Sequence, residues 1–171
     1  MSYDKFYEMH NQMAYRDNAS SSLIGALATM GKPLNDALAT GLLTLDTIHA
    51  PIRSACECFN HFVEAGELDT SRCGSRVPGF GSAWYKGEPD PLVTEFVEWL
   101  NEDVRNYVNE YTTYVQETWG KKVFPNAALA TAAFAFQEDI APHMAMSKVM
   151  IGRMDAWITI YMNNYKDKGF N

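Results

Sequence analysis

From Pro91 to Gly120 the chain carries Val93, Phe96, Val97, Leu100, Val104, Tyr107, Val108, Tyr111 and Val115 at steps of three and four residues. That spacing lines them along one stripe of an α-helix, and an apolar stripe of this length has to face a core. The pattern predicts one long helix that stops near Gly120. The same period returns elsewhere: after Pro33, at Leu34, Ala37, Leu38, Gly41, Leu42 and Leu45, up to Asp46; and from Pro51 to about Gly66, at Ile52, Ala55, Cys56, Phe59 and Phe62/Val63. An alanine-rich run, Ala127 to Ala135, follows Pro125-Asn126. A last helix is expected from about Pro142 to Tyr165, with Met146, Met150, Met154, Trp157 and Tyr161 on one face as core or subunit interface. No segment alternates apolar and polar residues with the period of two that an exposed sheet requires. The expected fold is all-α with no significant sheet, in a single helical domain spanning 1–171, without internal repeat or linker.

Composition narrows the setting. With 47% apolar and 13% aromatic residues in 171, the chain is rich enough to bury a core, which excludes disorder. Its 21 acidic against 14 basic residues oppose binding to phosphate backbones, so neither nucleic acid nor an anionic membrane is an expected partner. No apolar run reaches the roughly 20 residues that span a bilayer, and Met1-Ser2-Tyr3-Asp4-Lys5 does not resemble a signal peptide. A cytoplasmic protein is expected. Cys56, Cys58 and Cys73 are an odd set for disulfides and fit a reducing compartment. Cys56, Cys58, His61 and Cys73 are also soft metal ligands, but on a helix Cys56 and Cys58 stand about 200° apart. They are read as buried thiols, with no metal.

The residues from Gly74 to Gly87 form the longest stretch without helical period. Within it, Arg76-Val77-Pro78-Gly79-Phe80-Gly81-Ser82 has the glycines that let a backbone turn tightly and lie against a flat ligand. This run, with Asp90-Pro91 beyond it, resembles the loop of the citrate synthase family that reads Val-Pro-Gly-aromatic-Gly-His and ends in Asp-Pro-Arg. The resemblance continues on both sides. Asn18-Ala19-Ser20, Gly41-Leu42-Leu43 and Ile48-His49 are similar to the family's stretch from its Asn-Ala-Ser segment to its Gly-Pro-Leu-His motif. Phe124-Pro125-Asn126-Ala127-Ala128 resembles Pro-Asn-Val-Asp, and Ile151-Gly152-Arg153-Met154-Asp155-Ala156-Trp157 resembles Gly-x-x-Arg-x-x-Gly-Trp. The chain looks like the carboxy-terminal half of a citrate synthase or citryl-CoA lyase, in shortened form.

What the resemblance implies is a helical fold, a loop backbone at Val77, Pro78, Gly79, Phe80 and Gly81 that meets the adenine of CoA or acetyl-CoA, and a dimer built by packing helices of two subunits. Gly41, Ala130 and Gly152 suit such packing. It also implies eroded chemistry. Ala128 stands at the aspartate that removes the acetyl proton, Ser82 at the histidine that polarises the oxaloacetate carbonyl, and Leu92 at the first substrate-side arginine. Tyr15 replaces a histidine and Gly25 an arginine. His49 matches the enol-stabilising histidine, although Ala50-Pro51 follows it instead of Gly-Gly, and Arg153 keeps a carboxylate-binding position, with Ser82 as the other substrate-binding candidate. Losing a positioned base typically costs ~10²–10⁴ in rate and losing an electrophilic donor ~10²–10³.

The residues offer little to replace them. Glu138 and Asp139 read as a solvated helix end, and His10, His61 and His143 have no recognisable partner. Tyr3, Phe6, Tyr7 and Tyr15 give the amino terminus an aromatic face for the core or a partner. The expected function is therefore a catalytically impaired citrate synthase-like protein that acts by binding, either a CoA-type ligand or a metabolic protein partner, as a virus-encoded (phage) modulator of host metabolism would. Two other expectations stand beside it. One is an active acyltransferase or citryl-CoA lyase-like enzyme using His49 and Arg153; the other is a purely structural helical domain.

Overall fold

The computed structural model describes residues 2–16, 18–45 and 51–166. Eight α-helices occupy them: α1 (Ser2–Ala14), α2 (Ala19–Thr29), α3 (Leu34–Leu43), α4 (Ile52–Ala65), α5 (Pro91–Glu98), α6 (Glu102–Trp119), α7 (Ala127–Gln137) and α8 (Pro142–Asn164), with one 3₁₀ turn at Thr70–Arg72. Among the described residues there is no strand; the nearest thing is an isolated antiparallel bridge between Phe80 and Pro125. The all-α expectation holds.

Most helix ends obey local chemistry. Gly66 and Gly120 close α4 and α6 in the left-handed conformation, at φ 72° and 59°, which costs glycine no Cβ clash. Asn18 caps α2, accepting from the Ser21 N–H at 3.1 Å. The long stripe is where sequence and structure differ. Instead of one helix, the chain breaks after Glu98 and restarts at Glu102, with the Asn101 side chain accepting from the Val104 N–H at 2.9 Å and Glu102 and Asp103 in the first turn. The Asn101 N–H donates to Gln137 Oε1 at 2.8 Å, which fixes the break against α7. Leu100, inside the break, remains buried, so the apolar period passes through without interruption and hides it.

α7 is the axis. Every side chain from Ala128 to Ala135 is buried, because methyl-sized residues let α1, α4, α5, α6 and α8 come close on all sides. The Phe6 ring of α1 stacks on Phe134 at 4.2 Å and 15°, and Tyr3 meets the same ring edge-on at 4.9 Å, so most of the amino-terminal aromatic face packs on the core. Tyr15 is the exposed member. A second, smaller core holds Ile24, Ala28, Ala37, Leu45, Ala156, Trp157 and Tyr161, so α8 runs through both. The small residues assigned to a subunit interface are occupied within this chain. A Cβ on Gly41 would lie 2.6 Å from Ile24 Cδ1, one on Gly152 would lie 2.9 Å from His10 Cβ, and Ala130 is fully buried.

Cys56 and Cys58 are buried, Cys73 is half-buried, and none of the three is in a disulfide. Burial pushes the Cys58 thiol up to about 12, with Cys73 beside it as a further cause.

Candidate functional site

The Val77–Gly81 loop is clamped to the segment leading into α7. The Gly81 N–H donates to Phe124 O and the Asn126 N–H to Gly79 O, each at 2.9 Å, which forms the Phe80–Pro125 bridge. The Asn126 side chain adds a third tie, Nδ2 to Gly81 O at 2.9 Å. The two glycines serve different ends. Gly79, at φ 92°, lies against α7, where a Cβ would sit 3.0 Å from Leu129 Cβ; Gly81, at φ 81°, faces open space. Gly79 therefore lets the loop touch the helix, and Gly81 bares the backbone.

Two cavities share the segment Gly81-Ser82-Ala83 as a common wall. The outer one, about 480 Å³, is lined by Val77, Phe80 and Gly81 of the loop, by Val115, Trp119 and Val123, and by the cations Arg76, Lys86 and Lys121. Of the five loop residues singled out in the sequence, Pro78 and Gly79 do not line it. The Phe80 ring points into the core, edge-on to Tyr111 at 5.2 Å, so only its flank borders the space. Arg72 is not part of this wall: its guanidinium pairs with Glu57 and with Asp69 at 2.8 Å. Lys121 was missed in the sequence. The signal for it was the Gly120 stop, after which Lys121 lies on the same cavity wall as the loop.

The inner cavity, about 280 Å³, brings together Ser82, Ala128 and Arg153, along with Arg16, Asp90 and Asn126. Arg153 projects from α8 and is 2% exposed; burial lowers its pKa to about 10, which leaves it cationic at neutral pH. Ser82 Oγ accepts the N–H groups of Trp84 and Tyr85 at 3.1 and 3.2 Å. Its own proton remains to be donated. Asn126 caps α7, with Oδ1 accepting from the Ala128 N–H at 2.8 Å, so the Ala128 methyl is held at the cavity edge by the cap beside it. A methyl neither takes nor gives a proton.

Leu92 does not line this cavity, and it packs on the core at the start of α5. Glu138 and Asp139 also lie away from it, Glu138 with an oxygen accepting from Gln137 at 2.9 Å, so neither supplies the missing carboxylate here. His49 lies outside the described residues. His10, without a recognisable partner in the sequence, has one in space: Nε2 is 2.9 Å from Thr131 Oγ1, itself donating to Ala127 O at 2.7 Å, so the ring nitrogen is the donor. Burial, and secondarily the Arg153 charge, hold His10 well below its ordinary pKa. Among the described residues no group of three or more His, Cys, Asp or Glu side chains is placed to hold a metal, and no helix is long and apolar enough to cross a membrane.

No family model matches the chain, and no characterised protein matches it by sequence. Among solved structures, it resembles citryl-CoA lyase from Hydrogenobacter thermophilus at 18% identity, covering 98% of this chain and 70% of that one with a TM-score of 0.71. At that identity the likeness speaks for the fold alone: the chain shares the all-helical fold of that citryl-CoA lyase.

Proposed function

We propose that the chain is a catalytically impaired citrate synthase-like protein that works by binding, with a CoA-type ligand in the outer cavity. The observation that carries the reading is the pairing of the two cavities. One has a bared backbone at Gly81 and three cations, Arg76, Lys86 and Lys121, suited to a phosphorylated ligand. The other has the Ala128 methyl where the family resemblance calls for a base, and the Ser82 hydroxyl where it calls for a histidine. Binding outlasts chemistry in such an arrangement, because the loop ties at Gly79, Gly81 and Asn126 involve none of the lost groups. Calorimetric titration with CoA tests it: saturable heat supports the reading, and no heat together with no thermal shift rejects it. An assay of acetyl-CoA with oxaloacetate is expected to release no CoA thiol above background. Turnover that disappears in His49→Ala would return the active-enzyme reading.

A second reading, a domain that pairs with another copy or with a metabolic protein such as a host enzyme, draws on Leu43, Met162 and Met30, which are 76%, 66% and 57% exposed. Its test is oligomeric state by sedimentation, with a strictly monomeric chain counting against the homodimer.

A further inference from the structure

Away from both cavities, two thiols meet. Cys58 projects from α4 into the core and is fully buried, while Cys73, half-buried, closes the 3₁₀ turn at Thr70–Arg72. The Cys58 S–H donates to Cys73 Sγ, and the Cys73 S–H donates to Asp69 O at 3.5 Å. The turn is also fastened to α4 by the Arg72–Glu57 ion pair, but Arg72 is 45% exposed, and exposed pairs hold weakly. Cys56 does not compete for this contact, because it stands about 200° round α4 from Cys58. Thr70, Ser71 and Arg72 are all exposed. Bringing the two sulfurs to bonding distance therefore asks for a shift of a short surface turn and leaves the core helix where it is.

We propose that Cys58 and Cys73 are a thiol–disulfide pair, oxidised by small-molecule disulfides such as glutathione disulfide, and that the bond they form clasps the turn to α4. In the first step the Cys73 thiolate attacks one sulfur of the oxidant, forms a mixed disulfide and releases one glutathione thiolate. In the second the Cys58 thiolate attacks Cys73 Sγ and the other glutathione thiolate leaves. The protons given up by the two cysteines end on the two released thiols, so two protein thiols are oxidised and one disulfide is reduced. Access and hydrogen bonding set this order. Cys73 is the member that solvent reaches, and the Cys58 S–H donating to its sulfur favours the Cys73 thiolate, whereas Cys58 is sealed in the core. Burial raises the pKa of both thiols, so exchange is slow at neutral pH and quickens as pH rises. Just past Cys73 the chain reaches Ser75 and Arg76 on the wall of the outer cavity, so the clasp anchors the root of that wall. It needs no ligand, and it stands or falls apart from the CoA reading.

The test is to expose the folded, reduced protein to excess glutathione disulfide near the ordinary thiol pKa of about 8.5, and to follow intact mass, tryptic peptides and melting. The intact mass is expected to fall by two hydrogen atoms, with the peptide Cys73–Arg76 recovered joined to Ser54–Arg72. The same link is expected in Cys56→Ala and is lost in Cys58→Ala, and dithiothreitol reverses it. The oxidised form should melt several degrees above the reduced form, since the bond restricts the unfolded chain. A Cys73 that stays free or stops at the glutathione adduct overturns the proposal, as does a link that vanishes in Cys56→Ala. An oxidised form that melts no higher than the reduced one overturns the clasp. If Cys58→Ala does not fold, the Cys56→Ala map assigns the link.

Discussion

Asn126 is bonded to Gly81 across the wall between the two cavities: its Nδ2 donates to the Gly81 carbonyl at 2.9 Å. Its Oδ1 accepts from the Ala128 N–H at 2.8 Å, so one side chain starts α7 and pins the loop. The two roles separate by substitution. Asn126→Asp keeps the cap acceptor and loses the donor, so stability should fall by less than about 1 kcal/mol while CoA affinity drops. Asn126→Ala loses both, and should lower stability by about 1–2 kcal/mol. Chemical denaturation read beside CoA titration checks the split. Equal affinity in wild type and Asn126→Asp would mean that the tie does not shape the loop.

Gly152 and Gly41 look alike in sequence and should not behave alike. A Cβ on Gly152 meets His10 Cβ at 2.9 Å and Tyr7 Cα at 3.4 Å, atoms that move only if α1 moves. On Gly41 it meets Cδ1 and Cγ1 of the buried Ile24, side-chain atoms that can shift without moving a helix backbone. Gly152→Ala should therefore cost about 1–3 kcal/mol, and Gly41→Ala less, since alanine also returns up to about 1 kcal/mol of helix propensity. Urea midpoints at fixed slope measure both. A Gly152→Ala variant as stable as the wild type would contradict the close α1–α8 packing.

His10 makes stability depend on pH. In the fold its pKa lies well below the ordinary 6.5, chiefly through burial, so the folded ring stays neutral where the unfolded chain takes up a proton. The unfolded state binds more protons, so the contribution is intact above about pH 6.5 and is lost as pH falls below it, at up to about 1.4 kcal/mol per unit. Melting curves between pH 7.5 and 5.5, an interval chosen to lie about a unit either side of the ordinary histidine value, should show a steeper decline for wild type than for His10→Gln. Parallel curves would remove His10 as the cause.

Helices were legible in this chain because their period and their stops are local. Pro91, Gly66 and Gly120 mark ends that hold in space. The break before α6 was not legible, since Leu100 keeps the apolar spacing and only Asn101 betrays the new cap. The site was legible in part. The family resemblance pointed to Ser82, Ala128 and Arg153, which share one cavity, and to Val77, Phe80 and Gly81, which share the other. Pairings between distant segments left almost no trace. Nothing periodic connects His10 to Thr131, Arg16 to Asp90 or Lys121 to the loop.

The account rests on ligand binding that survives without the reaction, and calorimetric titration of CoA into the wild type and a Lys86→Glu/Lys121→Glu double variant tests it most directly. Both lysines are exposed, so the variant should fold. Saturable binding to the wild type, weakened at least about tenfold in the variant, is the predicted result. No heat with the wild type, or equal affinity in the two, would contradict it.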